Sequence, residues 1–220
     1  MAAGNSGAGT TGVRIDRVRT NGVFTLDGQS FDVENNIWLV GDDDEVLVID
    51  AAHEAGPIVE GVGDRRVVAI VCTHGHNDHI NVAFDVQGAA DGAPIALHED
   101  DRMLWDQVYT GRDPDMSLKN GQTFEVAGAT LQVIHTPGHS PGGVCLQLAS
   151  ESVLFSGDTL FQGGPGATGR SFSDFPTIIE SIRTKLLTLP PETVVHTGHG
   201  DSTKIGDEAP HLDEWIARGH

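Results

Sequence analysis

Over roughly the first fifty residues the apolar positions fall in short stretches cut by turn-forming pairs, a pattern of strands rather than helices. Segments 13–19, 22–26, 36–40 and 45–50 read as strands, with Asn-Gly, Asp-Gly and Gly-Asp pairs marking the turns. From residue 55 helical spacing appears between strands. Segment 55–62 predicts a short helix, 67–72 a buried strand, 78–90 a helix, 94–98 a strand and 100–109 a helix. After a polar loop the alternation restarts. Segments 123–126 and 130–135 predict a hairpin about Ala127-Gly128-Ala129, 144–148 and 152–156 two strands, 177–187 a helix, 193–196 a strand and 208–217 a closing helix. Trp38, Trp105 and Trp215 fall inside these segments and are expected in the core or under helices. Periodicity alone predicts a mixed α and β chain.

Length and composition narrow the function classes. A chain of 220 residues suits one domain with a substantial core, expected over residues 13–220. Residues 1–12 are rich in Gly, Ala, Ser and Thr and predict a flexible tail, without the basic start and apolar stretch of an export signal. No apolar run approaches membrane-spanning length. Cys72 and Cys145 lie in apolar, strand-like segments and are expected to be reduced core thiols, which places the protein in the cytoplasm. A formal net charge of -19 with only 13 Lys plus Arg argues against nucleic acid and anionic membranes as partners. A small-molecule substrate is expected instead.

The densest chemistry is Thr73-His74-Gly75-His76-Asn77-Asp78-His79, placed where a strand gives way to a helix. His74 and His76, two apart on extended backbone, point the same way; Asp78 and His79 open the helix and can reach a second ion. Three imidazoles and a carboxylate so crowded call for cations. Three further segments carry one ligand type each at a strand-to-loop junction: Thr136-Pro137-Gly138-His139-Ser140-Pro141-Gly142-Gly143, Phe155-Ser156-Gly157-Asp158-Thr159 and Val195-His196-Thr197-Gly198-His199-Gly200. His53, His98, His135, His196, His211 and His220 are expected to be ordinary surface or hydrogen-bonded histidines, with His135 and His196 also placed to support the ligand loops. The Gly-x-Ser-x-Gly turn of serine hydrolases is absent.

The whole set resembles the metallo-β-lactamase superfamily, over nearly the whole chain from Val13. The resemblance implies an α+β fold, the αββα four-layer sandwich. It implies His74, His76 and His139 on one ion, Asp78, His79 and His199 on the other, and Asp158 bridging. Two divalent ions are expected, Zn²⁺ first, with Fe²⁺ and Mn²⁺ also suited to nitrogen and oxygen donors. Held about 3.5–4 Å apart, they would acidify a shared water from a pKa of about 15.7 toward about 7, giving hydroxide for attack on a carbonyl. Asp78 would also orient that hydroxide. Gly157-Asp158-Thr159-Leu160-Phe161 and the segment Gly198-His199-Gly200-Asp201-Ser202-Thr203-Lys204-Ile205-Gly206 are similar to compact glyoxalase II-like thioesterases. A thioester of a small thiol, a glutathione or mycothiol conjugate, is the implied substrate. The alternatives are a persulfide dioxygenase with one iron on His74, His139 and Asp158, and a lactonase; the intact seven disfavour a non-catalytic relative. Arg170 is a candidate for gripping an anionic substrate group, its alternative being a solvated loop arginine.

Overall fold

The computed structural model describes residues 12–219 of the chain. The expected tail, apart from Gly12, and His220 lie outside the described residues. A first mixed sheet holds β1 (Arg14–Leu26), β2 (Gln29–Gly41), β3 (Glu45–Ile49), β4 (Arg66–Val71), β5 (Ile95–His98) and β6 (Met116–Leu118), neighbours in that order. Strands β1 to β3 form an antiparallel meander, and β3 to β6 run parallel. In the second sheet β7 (Thr123–Val126), β8 (Ala129–His135), β9 (Val144–Leu148) and β10 (Val153–Gly157) are antiparallel. A two-stranded ribbon of β11 (Leu160–Phe161) and β12 (Gly164–Pro165) follows. Then β13 (Val194–Thr197) adds to β10 in parallel, and β14 (Thr203–Lys204) closes the edge.

The inner strands are apolar on both faces, and alternation along β2 and β3 sorts their residues into two cores. Ile37, Leu39, Val46 and Val48 face outward and meet α1 (Ala55–Val62), α3 (Ala83–Ala89) and α4 (Arg102–Val108) through Ile58, Val86 and Trp105. Their neighbours Trp38, Val40, Leu47 and Ile49 face inward onto Leu131, Val133, Leu146 and Phe155 of the second sheet. On the far side Cys145, Leu154 and Val195 meet α5 (Phe175–Ser181), its π-helical continuation at Ile182–Leu186, and α7 (Leu212–Arg218) through Ile178, Ile182, Leu186 and Trp215. Three cores between four layers make the expected αββα sandwich. Cys72 and Cys145 are buried free thiols, as expected. Among the described residues no helix is long and apolar enough to cross a membrane.

Two segments depart from the sequence prediction. Asn21-Gly22 is not a turn: β1 runs straight through it, and the hairpin turns at Asp27-Gly28, both at positive φ (52° and 71°). Gly22 serves close packing instead, since a Cβ there would collide with the His53 imidazole. The single helix expected at 78–90 is broken into α2 (Asn77–Ile80) and α3. Val82 N–H donates to Ala51 O (3.2 Å) and the Asn81 side chain accepts from His53 N–H (2.6 Å), so tertiary bonds pull the chain out of helical register. Short β6, β11, β12, β14 and α6 (Ile205–Glu208) were not legible in the pattern.

Candidate metal centre

All seven predicted ligands sit beyond the C-terminal ends of strands and converge at one end of the sandwich. The loop after β4 supplies His74 from a bend and His76 on extended backbone (φ -65°, ψ 146°), and α2 supplies Asp78 and His79. The loops after β8, β10 and β13 supply His139, Asp158 and His199. His76 Nδ1 lies 3.0 Å from both His74 Nε2 and His139 Nε2. His79 Nε2 and His199 Nε2 are 3.2 Å apart, and Asp78 Oδ2 is 3.3 Å from His199 Nε2. Asp158 stands between the groups, with Oδ2 at 3.3 Å from His199 Nε2 and 3.6 Å from His139 Nε2, and Oδ1 at 3.4 Å from His79 Nε2. Close approach depends on Gly198, where a Cβ would collide with Asp158 Oδ1.

The outer ring nitrogens fix the imidazoles. His79 Nδ1–H donates to Asp50 Oδ2 (2.8 Å), His139 Nδ1–H to Ala167 O (2.8 Å) and His199 Nδ1–H to Glu34 O (2.7 Å). Their Nε2 lone pairs are thereby aimed inward. Asp78 Oδ1 and Asp158 Oδ1 are buried without a hydrogen-bond partner, a costly state unless a cation answers it. Three ring nitrogens meeting at His76, orphaned carboxylate oxygens and an all nitrogen and oxygen donor set fit a pair of divalent cations. A second His/Asp group, His98, Asp100 and His135, does not: its two rings stack at 4.0 Å and 12°, so their in-plane lone pairs run parallel rather than converging.

Charge divides the metal-free cluster into a neutral and a cationic half. Burial, reinforced by His79 and His76, holds His74 well below the usual histidine range; burial and His139 take His76 down to about 3. At His79 and His199 burial also opposes charge, but Asp158 and its neighbouring carboxylates overcome it. His79 is raised well above 6.5 and His199 to about 10. Asp158, despite burial, is held well below the carboxylate range by His199 and His79. The stabilisation from His199 is therefore complete below pH 6.5 and lost as pH rises through about 10; that from Asp158 is present above pH 3.8 and lost in acid. His79 Nε2 and His199 Nε2 lie 3.2 Å apart, and the proton that the flanking carboxylates hold on this pair at pH 7 must leave before metal binds. Loading metal-free protein is expected to release at least about one proton per chain in weakly buffered solution. Metal uptake without proton release would contradict this charge state.

A four-layer αββα sandwich that gathers five imidazoles and two carboxylates at its strand ends defines a protein of the metallohydrolase class. The chain belongs to the metallo-β-lactamase superfamily, whose sequence pattern matches residues 31–199. It is 31% identical over 198 residues to the probable metallo-hydrolase YqgX of Bacillus subtilis, spanning 82% of this chain and 93% of that protein. Identity to the hydroxyacylglutathione hydrolase GloC of Haemophilus influenzae is 30% over 190 residues, spanning 80% of this chain and 90% of that protein. The crystal structure of TTHA1623 in a di-iron-bound form superposes with a TM-score of 0.71 at 32% identity, covering 80% of this chain and 93% of that one.

Several residues of the centre carried no sequence motif. Asp50, at φ 65° just past β3, also accepts from Thr73 N–H (2.7 Å) and Oγ1–H (2.9 Å), tying two loops under His79. Its only signal was an acid ending an apolar strand. Buried Asn35 donates to Asp78 O (2.7 Å), with its Nδ2 3.3 Å and 3.4 Å from the inner nitrogens of His79 and His199. His53, expected to be an ordinary surface or hydrogen-bonded histidine, fixes that amide through a 2.8 Å bond to Asn35 Oδ1. Asp101 accepts from Gly75 N–H (2.8 Å), Ser140 Oγ–H (2.7 Å) and Gly142 N–H (2.5 Å), clamping the His74/His76 loop to the His139 loop. His135 donates to Pro141 O (2.9 Å) within that second loop, and His196 stacks on Trp38 and bonds Ser202 Oγ (2.8 Å). His211 pairs with Glu214 on the surface. Arg170 does not line the cavity; its guanidinium donates to Gln29 Oε1 (2.8 Å) and covers the Phe31 ring.

Proposed function

We propose that this chain is a two-metal hydrolase that cleaves thioesters of a small thiol in the cytoplasm, with residues 13–220 acting as one unit. The observation that carries the proposal is the meeting of all seven side chains beneath a cavity of about 400 Å³, which His76, Asp78, His139, Asp158 and His199 line and behind which His74 and His79 are buried. His74, His76 and His139 would hold one ion, Asp78, His79 and His199 the other, with Asp158 between them. Zn²⁺ is the first candidate, Fe²⁺ and Mn²⁺ the next. Bound there, such ions supply a Lewis acid for a carbonyl oxygen and an acidified water as nucleophile. Asp78 Oδ1, without a protein partner, is available to orient that water. Phe24, Val33, Phe161 and Ala167 wall the cavity and would seat an apolar acyl group.

Ser156 and the two cysteines do not compete for this role. Ser156 is buried with its hydroxyl donating to Leu160 O (2.8 Å), and burial pushes the Cys145 thiol up to about 11 and that of Cys72 well above its ordinary value. The thioester itself is supported by the segments at 157–161 and 198–206 and by the relative named as a hydroxyacylglutathione hydrolase. Elemental analysis of protein purified without added metal, beside a thioester panel, tests the proposal. Two ions per chain and chelator-sensitive thioester cleavage are expected. A single iron with oxygen uptake on a persulfide, or cleavage of lactones alone, would overturn it.

A further inference from the structure

The histidine-rich run holds one polar side chain that is not among the seven candidate ligands, Asn77, between His76 and Asp78. Its carboxamide reaches the β1–β2 hairpin instead. Because β1 is an edge strand, alternate backbone groups along it face no neighbouring strand. Thr25 N–H donates to Asn77 Oδ1 (2.8 Å), and Asn77 Nδ2–H donates to Val23 O (2.7 Å). One side chain therefore takes the place of a strand partner on both sides of Phe24. The Phe24 ring lines the metal cavity and meets the His76 ring edge-on, with centroids 5.2 Å apart. Phe31 stacks on Phe24 at 6.3 Å, and the Arg170 guanidinium covers Phe31 in turn. Toward α4 the hairpin has no such backing: a second cavity of about 200 Å³ lies there, lined by Leu26, Asn77, Leu104 and Val108.

We infer that Asn77 is a positioning residue: by pinning β1 on both sides of Phe24 it fixes that ring as a wall of the cavity, and the fixed wall sets the preference of the site for extended apolar acyl groups. This rests on the thioester hydrolysis proposed above. An acyl chain gains by leaving water only where it meets a surface held in contact, and a wall that must first be ordered costs part of that gain. Asn77 removes that cost. It is joined in sequence to His76 and Asp78, so the bridge sets the Phe24 ring directly against the cluster. The hairpin itself does not depend on it, because the β1–β2 pairing runs on to Leu26 and Gln29 and Ser171 N–H ties the tip through Asp27 Oδ2 (3.0 Å). What depends on Asn77 is the placement of Val23, Phe24 and Thr25 beside the open space under α4.

The experiment compares acetyl and butanoyl thioesters, each on glutathione and on N-acetylcysteamine, with the metal-loaded protein. Each methylene moved from water onto an apolar wall is worth about a factor of four, so the butanoyl ester is expected to exceed the acetyl ester in kcat/KM by about tenfold, mostly through KM. Asn77→Ala should keep both ions, hold kcat within about threefold and lower the butanoyl-to-acetyl ratio by about threefold or more. Phe24→Ala should lower the ratio as far, and the double variant no further, since the two substitutions remove one contact. In Asn77→Ala the Thr25 amide should also exchange with solvent at least about tenfold faster. General damage to the fold would slow both acyl groups alike and leave their ratio in place. An unchanged ratio, additive effects of the two substitutions, unchanged exchange at Thr25 or loss of metal from Asn77→Ala overturns the positioning role while leaving thioester hydrolysis standing. Inertness of the unaltered protein toward all of these esters overturns hydrolysis of thioesters and the positioning role together.

Discussion

Replacing Asp158 by Ala is expected to lower kcat/KM by about a thousandfold or more and to remove metal from both halves of the centre. Asp158 lies within 3.6 Å of imidazole nitrogens on both sides, reaching His139, His79 and His199. Without it each half keeps three donors but loses the carboxylate that couples them. In the metal-free protein the same change withdraws the charge that lifts His199 to about 10, so that imidazole should titrate closer to its ordinary value. Asp158→Asn separates charge from shape, because the amide fills the same volume and carries no charge. Metal analysis, steady-state kinetics and histidine titration by NMR check all three. A variant that keeps two ions and activity within tenfold would remove Asp158 from the bridging position.

The second large effect is on stability. Asp101→Ala takes the acceptor from Gly75 N–H, Ser140 Oγ–H and Gly142 N–H at once, all three in a fully buried setting. A buried donor left unsatisfied costs about 1–3 kcal/mol, so a loss of about 3–5 kcal/mol is expected, a large share of the 5–15 kcal/mol typical of a folded domain. The clamp joins the loops bearing His74, His76 and His139, so the metal held by that triad should weaken in step. Urea unfolding measures the first effect and metal titration the second. A destabilisation below about 1 kcal/mol would show that water replaces the carboxylate and that the loops do not depend on it.

The convergence of the seven candidate side chains was legible because their chemistry is crowded in sequence. Three imidazoles and an acid in one short run need no fold to be noticed, and His139, Asp158 and His199 each follow a readable strand. What the pattern hid is support that acts across the chain. Asp50, Asn35, His53 and Asp101 each do their work on residues remote from them, and a lone acid or amide at a strand end has no period or spacing to betray it. The same limit explains the fold errors. Asn21-Gly22 has the composition of a turn, but its glycine makes room for His53, and the helix at 78–90 is interrupted by bonds to Ala51 and His53 rather than by a helix-breaking residue. Residues of β2, β3 and β5, by contrast, alternate regularly between the two cores, whereas β4 slips by one residue at Val68 where its pairing with β3 shifts register.

Each half of the cluster draws on both sheets: His74 and His76 from one and His139 from the other, then Asp78 and His79 from one and Asp158 and His199 from the other. Where the sheets meet beside them, Trp38 Nε1–H donates to Thr197 O (3.0 Å), Asn36 N–H to Gly198 O (2.7 Å) and Val144 N–H to Thr73 O (2.8 Å). An ion bound across this seam would work as a reversible rivet between two leaves of the molecule. Its affinity would then be counted directly in the work needed to prise the leaves apart.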